Sequence, residues 1–418
     1  MKKALLISVG LGGGVENAIC FSIRQHNPSL VVFIATKSSL ATLERRANGT
    51  RVSELVEQKE VIQLEDEEDL YKTYHQVEME IDRLLKDGYE PSEIAVDITT
   101  GTKVMSAALA AVAIVHEVRS LSYVTGDRNA DGRVVSGTEK METLDPARIS
   151  LLASLKRELP TYFNAHQYAA CLDIIGRCKE KEKLLERSEL QRLEDTERLV
   201  LGYREWDRFN HKEALETLEK LADQRLSQNV EFLKELVDER NRLSRKVYKL
   251  GLRDNLPTRC LIADLIANAE RRAEEGSYDD AVARLYRAVE AVAQLHLLEV
   301  YGQDSGNIML DTLKDRLPKD SKRRYEGLRD EDGRIRLGLT ESYQLIRTLE
   351  PSNPLASDEV IEQLRKDLPF RNSSILAHGF KPIGREDFER MKGLAIKVAE
   401  FEDQELEKRL LKARFQGI

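Results

Sequence analysis

Hydrophobic periodicity changes once along this chain, near residue 148, and that change constrains the fold more than any other feature. Before it, short apolar runs at Ala4–Val9, Leu30–Ala35, Val61–Leu64, Ile94–Thr99 and Val118–Val124 alternate with amphipathic stretches that begin near Glu16, Leu40, Glu68 and Lys103. Strands separated by helices predict an α/β unit with a mostly parallel sheet. The less regular segment Gly132–Leu144 is expected to add a hairpin at the sheet edge. After residue 148 strand-like alternation nearly vanishes and helices are expected to the end. The class is α/β followed by all-α, in three parts: 1–147, a helical connector over 148–255, and a final helical domain over 256–418.

A length of 418 residues exceeds one ordinary core, in keeping with several domains. Apolar residues make up 41% and charged residues 33%, the balance of a globular protein rather than a disordered one. The net charge of -8 argues against a uniformly basic coat for nucleic acid, although it leaves the field inside a cleft undetermined. Residues 174–200 are dense in Lys, Glu and Arg of both signs, the pattern of a solvated helical face. Cys20, Cys171, Cys178 and Cys260 form no close pair and are expected as buried free thiols. The apolar run Ala4–Val9 is too short to span a membrane, and reads as the first strand of a cytoplasmic protein.

Two loops at the C-terminal ends of predicted strands carry ligand chemistry. Gly10-Leu11-Gly12-Gly13-Gly14 follows the first strand, and Asn17 opens the next helix. Glycines let backbone amides approach a phosphate, and a helix N-terminus adds unsatisfied donors. The spacing is not the dinucleotide fingerprint, and the second strand ends in Ala35-Thr36-Lys37-Ser38-Ser39 with no acidic residue. The glycine loop alone fits a simple turn as well as a ligand contact. Asp97-Ile98-Thr99-Thr100-Gly101-Thr102-Lys103 sharpens the case. It delivers hydroxyls, a glycine and a cation to the edge where open α/β sheets bind ligands. Met105 is expected in the core. Walker A is absent, so an ATPase reading has little support.

The second constellation is Arg371-Asn372-Ser373-Ser374-Ile375-Leu376-Ala377-His378-Gly379, with six residues between the arginine and the histidine. After the loop Pro351-Ser352-Asn353-Pro354, Arg371 is expected near the start of a helix or its capping turn. On an ideal helix the seven-residue step would set Arg371 and His378 about 20° apart around the axis, on one face. Taken alone, the segment also fits a capping histidine and an arginine paired with a surface carboxylate. The chemical reading is sharper. RNA carries its own nucleophile, the 2′-hydroxyl, so no metal-bound water is required. His378 can exchange a proton with that hydroxyl or with the leaving 5′-oxygen. Arg371 can hold the phosphate and its developing charge, and Asn372 can orient a phosphate oxygen or the histidine. One histidine cannot naturally serve both sides of the phosphorus; two copies in a dimer can, and water or transition-state charge stabilisation can replace one of them. Arg284, Arg287 and Glu290 can share one helical face, the spacing of a structural ion network. His296 lacks a partner pattern and is expected to be packed or solvated.

Residues 1–145 resemble the CRISPR-associated Rossmann-like sensor domain, called CARF, through the glycine loop and the Asp97–Ser106 motif. The C-terminal domain resembles the HEPN ribonuclease superfamily through its arginine-to-histidine motif, with asparagine following arginine. The whole chain therefore resembles the CARF–HEPN effectors of type III CRISPR antiviral defence. The resemblance covers both ends well and the connector poorly. It implies cyclic oligoadenylate as the activating ligand, bound at a two-fold dimer interface where identical loops face a ring. Gly12, Gly13, Asn17, Ser38, Thr99, Thr100, Gly101, Thr102 and Lys103 are the contacts implied. It further implies a homodimeric, metal-independent endonuclease acting on single-stranded RNA through Arg371, Asn372 and His378, leaving 2′,3′-cyclic phosphate and 5′-hydroxyl ends. Two alternatives stay open at this level: a nonenzymatic, ligand-responsive RNA-binding regulator, and a sensor domain that cleaves its own cyclic ligand. Ring size and base preference are not encoded legibly.

Overall fold

Ala4–Val9 (β1) is buried along its whole length, the burial of a strand covered on both faces. The computed structural model, which describes residues 2–47, 49–130, 134, 135, 137–250, 256–313 and 315–418, shows what covers it. Leu30–Ala35 (β2) runs parallel to β1 in the register Ala4↔Leu30 to Val9↔Ala35. Gln58–Gln63 (β3) continues the sheet beyond β2, and Ile94–Asp97 (β4) pairs with the other side of β1. Ser120–Thr125 (β5) follows in parallel, and Lys140–Leu144 (β6) closes the edge antiparallel to β5. The order is β3-β2-β1-β4-β5-β6. Chain progression reverses between β1 and β4, so a crevice opens at their C-terminal ends.

Alternation along β1 sorts the core into two layers. Leu6, with Val32 and Ile34, packs beneath Val77 and Ile81 of the Leu70–Lys86 helix and Met105 and Leu109 of the Lys103–Val115 helix. Leu5, Ile7 and Val9 face the opposite side, against Ile19 and Ile23 of the Val15–His26 helix. Each such buried aliphatic side chain contributes about 1.5–3 kcal/mol, and a one-residue slip would trade the two faces. The five predicted strands are present, with β3 starting earlier, at Gln58, and β4 ending earlier, at Asp97. The element expected at Leu40 is a single 3-10 stretch, Ser39–Glu44, because Thr36 and Ser39 bond each other's backbone and hold a tight turn. Of the expected edge hairpin, β6 is seen, while residues 131–133 and 136 lie outside the described ones.

The chain divides into two compact units, Met1–Glu158 with Arg177–Glu186, and Leu159–Gly176 with Arg187–Ile418. The described part of the second is helical throughout its regular elements. Its central helix, Tyr278–Tyr301, packs against Arg259–Glu274, Leu339–Leu349, Asp358–Ser373 and Arg385–Glu402. Small residues Ala281, Ala288 and Ala291 on its buried side let those neighbours approach closely. Elsewhere in this unit Trp206 donates its indole N–H to Asp264 at 2.9 Å, and His211 meets the other oxygen at 2.8 Å. The C-terminal tail closes the same region, with Phe415 stacked on Tyr203 at 4.3 Å and Asn229 donating to the carbonyls of Lys412 and Arg414. The boundary expected at Gly251–Pro257 falls largely on residues 251–255, outside the described ones. All four cysteines are buried and free.

Candidate sensor and cleavage sites

In the first unit, the ends of β2, β1 and β4 deliver three loops to one edge of the sheet. Gly10 touches Gly101: a β-carbon on Gly10 would lie 2.6 Å from the Gly101 amide nitrogen, so any side chain there would part the loops. Gly101 itself has φ +91°, a left-handed conformation that favours glycine. The helices starting at Val15 and Lys103, on opposite faces of the sheet, both open at this edge, and their first-turn amides and dipoles suit an anion.

The predicted contacts divide by what their polar groups already do. Gly12, Gly13, Ser38, Gly101 and Lys103 are exposed, and Asn17 and Thr102 are half-buried. Ser38 bonds the Thr36 hydroxyl at 2.9 Å, and the Thr102 hydroxyl caps its helix by accepting the Met105 amide at 3.2 Å. Thr100 is buried, its hydroxyl donating to the Ser8 carbonyl while the Ser8 hydroxyl donates to the Thr100 carbonyl. The Thr99 hydroxyl accepts the Val124 amide at 2.8 Å. Thr99 and Thr100 thus spend their hydroxyls on loop shape, and Met105 is fully buried as expected.

Two supports were not visible as such in the sequence. Asp97 is fully buried; one carboxylate oxygen accepts the Thr99 amide at 2.8 Å and the other accepts the Ser22 and Ser122 hydroxyls at 2.7 and 3.1 Å. His26 reaches the Ser122 hydroxyl at 2.9 Å, and burial lowers the histidine's pKa. Arg45 donates to the carbonyls of Gly12 and Leu11 at 3.0 and 3.2 Å and clamps the glycine loop. Its distance in sequence from Gly12 hides that role.

In the second unit, the structure revises the geometry expected for the arginine–histidine segment. Arg371 lies in the last turn of the Asp358–Ser373 helix, not at the start of one, and that helix ends before His378. The shared helical face predicted from the seven-residue step does not exist. A chain reversal replaces it: the amides of Ala377 and Gly379 donate to the Ser374 carbonyl, that of His378 to Asn372 at 3.2 Å, and that of Lys381 to Ser373 at 2.9 Å. Gly379 permits the reversal, since a β-carbon there would stand 2.1 Å from the Ser373 carbonyl oxygen. The reversal, rather than helical periodicity, brings the histidine's backbone back to the asparagine.

Arg371 lies with its guanidinium carbon 4.6 Å from the centre of the Tyr286 ring, and donates to the Asn372 side-chain oxygen at 3.2 Å. Among the described residues no carboxylate lies within ion-pairing distance of it, so the expected alternative of a surface salt bridge does not hold. The His378 imidazole is exposed and, among the described residues, has no hydrogen-bond partner. Among the described residues, one chain therefore presents an arginine held without a carboxylate, an amide and a single imidazole with no hydrogen-bond partner. By contrast, Arg284 is paired with Asp280 at 2.8 Å and Arg287 with Glu290 at 3.0 Å.

His296 is packed, one of the two expected outcomes, but it has partners that its sequence surroundings do not show. It is buried, with its ring nitrogens 2.5 Å from Glu402 and 3.1 Å from Glu350, and Glu350 also accepts from Tyr301 and Asn353. Its partners come from helices and loops far off in sequence, so no local spacing could announce them. Among the described residues, one group has metal-type donors close together, Glu235, Glu239 and Cys260, with ligand atoms within 4.8 Å of one another. Arg409 already lies 3.3 Å from Glu235 and 3.9 Å from Glu239, and burial pushes the Cys260 thiol pKa up, against thiolate ligation.

A Rossmann-like sensor layer followed by an all-helical nuclease-type bundle defines a two-part effector class. Two family models match the helical part: one described as the Csm6 HEPN domain matches residues 253–402, and one described as the Csm6 6H domain matches residues 155–246. The chain belongs to the Csm6 family of CARF–HEPN ribonuclease effectors associated with type III CRISPR systems. The solved structure of Enterococcus italicus Csm6 bound to cyclic hexa-2'-fluoro-hexa-dAMP is similar in fold, with a TM-score of 0.51 at 14% identity over 99% of this chain and 98% of that one. No curated protein matches the sequence.

Proposed function

We propose that this chain is an endoribonuclease of type III CRISPR defence, switched on by a cyclic oligoadenylate and cutting single-stranded RNA without a metal ion. The observation that carries the reading is the reversal after Ser373, which ties the His378 amide to Asn372, together with an imidazole that has no hydrogen-bond partner and an Arg371 that has no carboxylate among the described residues. His378 exchanges the proton of the 2′-hydroxyl or of the 5′-oxygen, Arg371 holds the phosphate, and Asn372 orients one of them. The products are a 2′,3′-cyclic phosphate and a 5′-hydroxyl. Flexible single strands fit best, because in-line attack needs backbone freedom that a duplex restricts.

The chain works as a homodimer in this reading. A single imidazole cannot stand on both sides of one phosphorus, and a second copy supplies the other. Ile375, Leu376 and Phe380, at 66, 52 and 93% exposure, surround His378 in sequence with apolar surface that a second copy would cover. The sensor ligand takes the edge formed by Gly12, Gly13, Asn17, Ser38 and Thr99–Lys103, with Thr99 and Thr100 shaping the loop and Lys103 meeting phosphate. The cyclic ligand held by the Enterococcus italicus protein supports a ring-shaped oligonucleotide for that edge. The three-part division 1–147, 148–255 and 256–418 is retained, with support from the interval between the two matched family regions. A cytoplasmic site of action follows from the family's role.

Cleavage of single-stranded RNA in EDTA, with and without cyclic tetra- and hexaadenylate, tests the reading. Stimulated cleavage is expected with one of these rings, and its loss in H378A with ligand binding retained. Full activity of H378A, or dependence on added metal, would overturn it.

A further inference from the structure

The helix that carries Arg371 ends two residues later, so its long side chain springs from the last turn of an element rather than from its interior. Yet a phosphate-holding arginine must be in place before the substrate arrives, or the cost of ordering it is charged to the reaction. The face of Tyr286 provides the anchor. Tyr286 sits in the first half of the Tyr278–Tyr301 helix, which packs against four other helices of the unit, and is itself half-buried. Its ring centre lies 4.6 Å from the Arg371 guanidinium carbon.

The choice of an aromatic face matters chemically. A carboxylate partner would fix the guanidinium equally well but would neutralise it and occupy its N–H edge. A ring face holds the flat cation by its π-cloud and leaves the in-plane N–H donors free for phosphate oxygens. Arg284, Arg287 and Arg390 each take a carboxylate, of Asp280, Glu290 and Asp387. Arg371 is spared that fate. Burial raises the phenol pKa of Tyr286, with Glu290 adding to the effect and Arg371 opposing it, so the ring meets the cation as a neutral π-face.

Resting on the catalytic reading of Arg371, we infer that Tyr286 is a positioning residue for the cleavage reaction: it holds the Arg371 guanidinium, one N–H of which goes to Asn372, with the remaining donors open to the scissile phosphate. The ring, not the hydroxyl, is the working part, since no hydrogen bond from the phenol oxygen joins Tyr286 to the site among the described residues.

The test is a set of variants assayed for kcat and KM on single-stranded RNA at saturating activator, with thermal unfolding measured in parallel. Y286F keeps the ring and should stay within about twofold of wild type. Y286L, and Y286M should the leucine variant fold poorly, should lose about five- to thirtyfold in kcat with KM little changed and unfolding temperature near normal. In a cycle with R371A, adding Y286L should cost nothing further, because the cation it positions is gone. A Y286L or Y286M enzyme as fast as the parent overturns the inference. So does higher activity without activator, which would make the contact a restraint. If R371A itself retained full activity, the proposed function would fail instead, and the two failures are separately visible.

Discussion

Replacing Gly379 with alanine should disable cleavage while sparing the fold. The added β-carbon would meet the Ser373 carbonyl oxygen at 2.1 Å, its carbon at 2.5 Å and its α-carbon at 2.6 Å. Ordinary contacts begin at 3.4 Å, so the shortfall is 3.4 minus 2.1, or 1.3 Å, and all three neighbours are backbone atoms that cannot rotate away. The reversal must open by an ångström or more, breaking the bonds from His378 to Asn372 and from Gly379 to Ser374. Overpacking of this kind typically costs about 1–3 kcal/mol, and an exposed loop relieves much of it by moving. Movement is the damage: misplacing a catalytic group by about 1 Å can cost about a hundredfold in rate. Single-turnover cleavage by G379A should therefore fall about a hundredfold, with unfolding shifted by only a few degrees and activator binding intact. Gly393 is the control, since it lies exposed in the Arg385–Glu402 helix with open space where a β-carbon would go. G393A should keep full activity and gain about 0.5–1 kcal/mol from helix propensity. A G379A enzyme that cuts at the parental rate would refute the claim that this reversal sets the histidine.

Other outcomes follow from the same geometry. D97N keeps the size of the buried acceptor but halves its accepting oxygens, so the Thr99 loop should loosen; half-maximal activation should need about ten times more activator or beyond, with cleavage at saturation near normal, as a titration would read. F380D places a charge in the apolar surface beside His378, and should shift the chain toward monomer in sedimentation and abolish cleavage together; an active monomer would contradict the paired-imidazole mechanism. Burial works to lower the His296 pKa, yet the bonds its ring donates to the Glu402 and Glu350 carboxylates prevail and raise it. Its contribution is thus complete below the ordinary imidazole value of about 6.5 and fades as pH rises through the raised one. H296Q should be destabilised by about 1–3 kcal/mol at pH 6 and by less at pH 9, in thermal unfolding at both values. Glu350 is held below the usual carboxylate range by Tyr301, Asn353 and His296 against its burial, so its share should disappear only in acid.

The N-terminal fold was legible because its information is local. β1 and β2 are continuous apolar runs bounded by Gly10 and by Thr36, and the structure keeps both limits. Glycines and hydroxyls at strand ends marked the loops that do converge at the edge. Local pattern could not show which hydroxyls face outward. Thr99 and Thr100 look equivalent in sequence, yet both are drawn to backbone groups of neighbouring strands, at Val124 and Ser8. Asp97 and Arg45 were hidden for the same reason: their tasks are defined by partners across the sheet.

At the C-terminus the motif was readable and its geometry was not. A seven-residue step invites a helical reading, and nothing in Ser373-Ser374-Ile375-Leu376 forbids one outright. The decisive signals were weaker: Pro369 withdraws an amide donor one turn before the end, and Gly379 is required only once the chain has turned back on Ser373. The consequence is chemical as well as descriptive. On one helical face, arginine and histidine would move as a rigid pair. Across a helix end and a turn they are held by different devices, the arginine by an aromatic ring from the central helix and the histidine by backbone bonds to Asn372. Each device can then fail alone. Loss of the ring should lower kcat by releasing a correctly charged but wandering cation, whereas loss of the turn should displace the proton-transfer group itself. The larger penalty for G379A than for Y286L is the quantitative mark of that division.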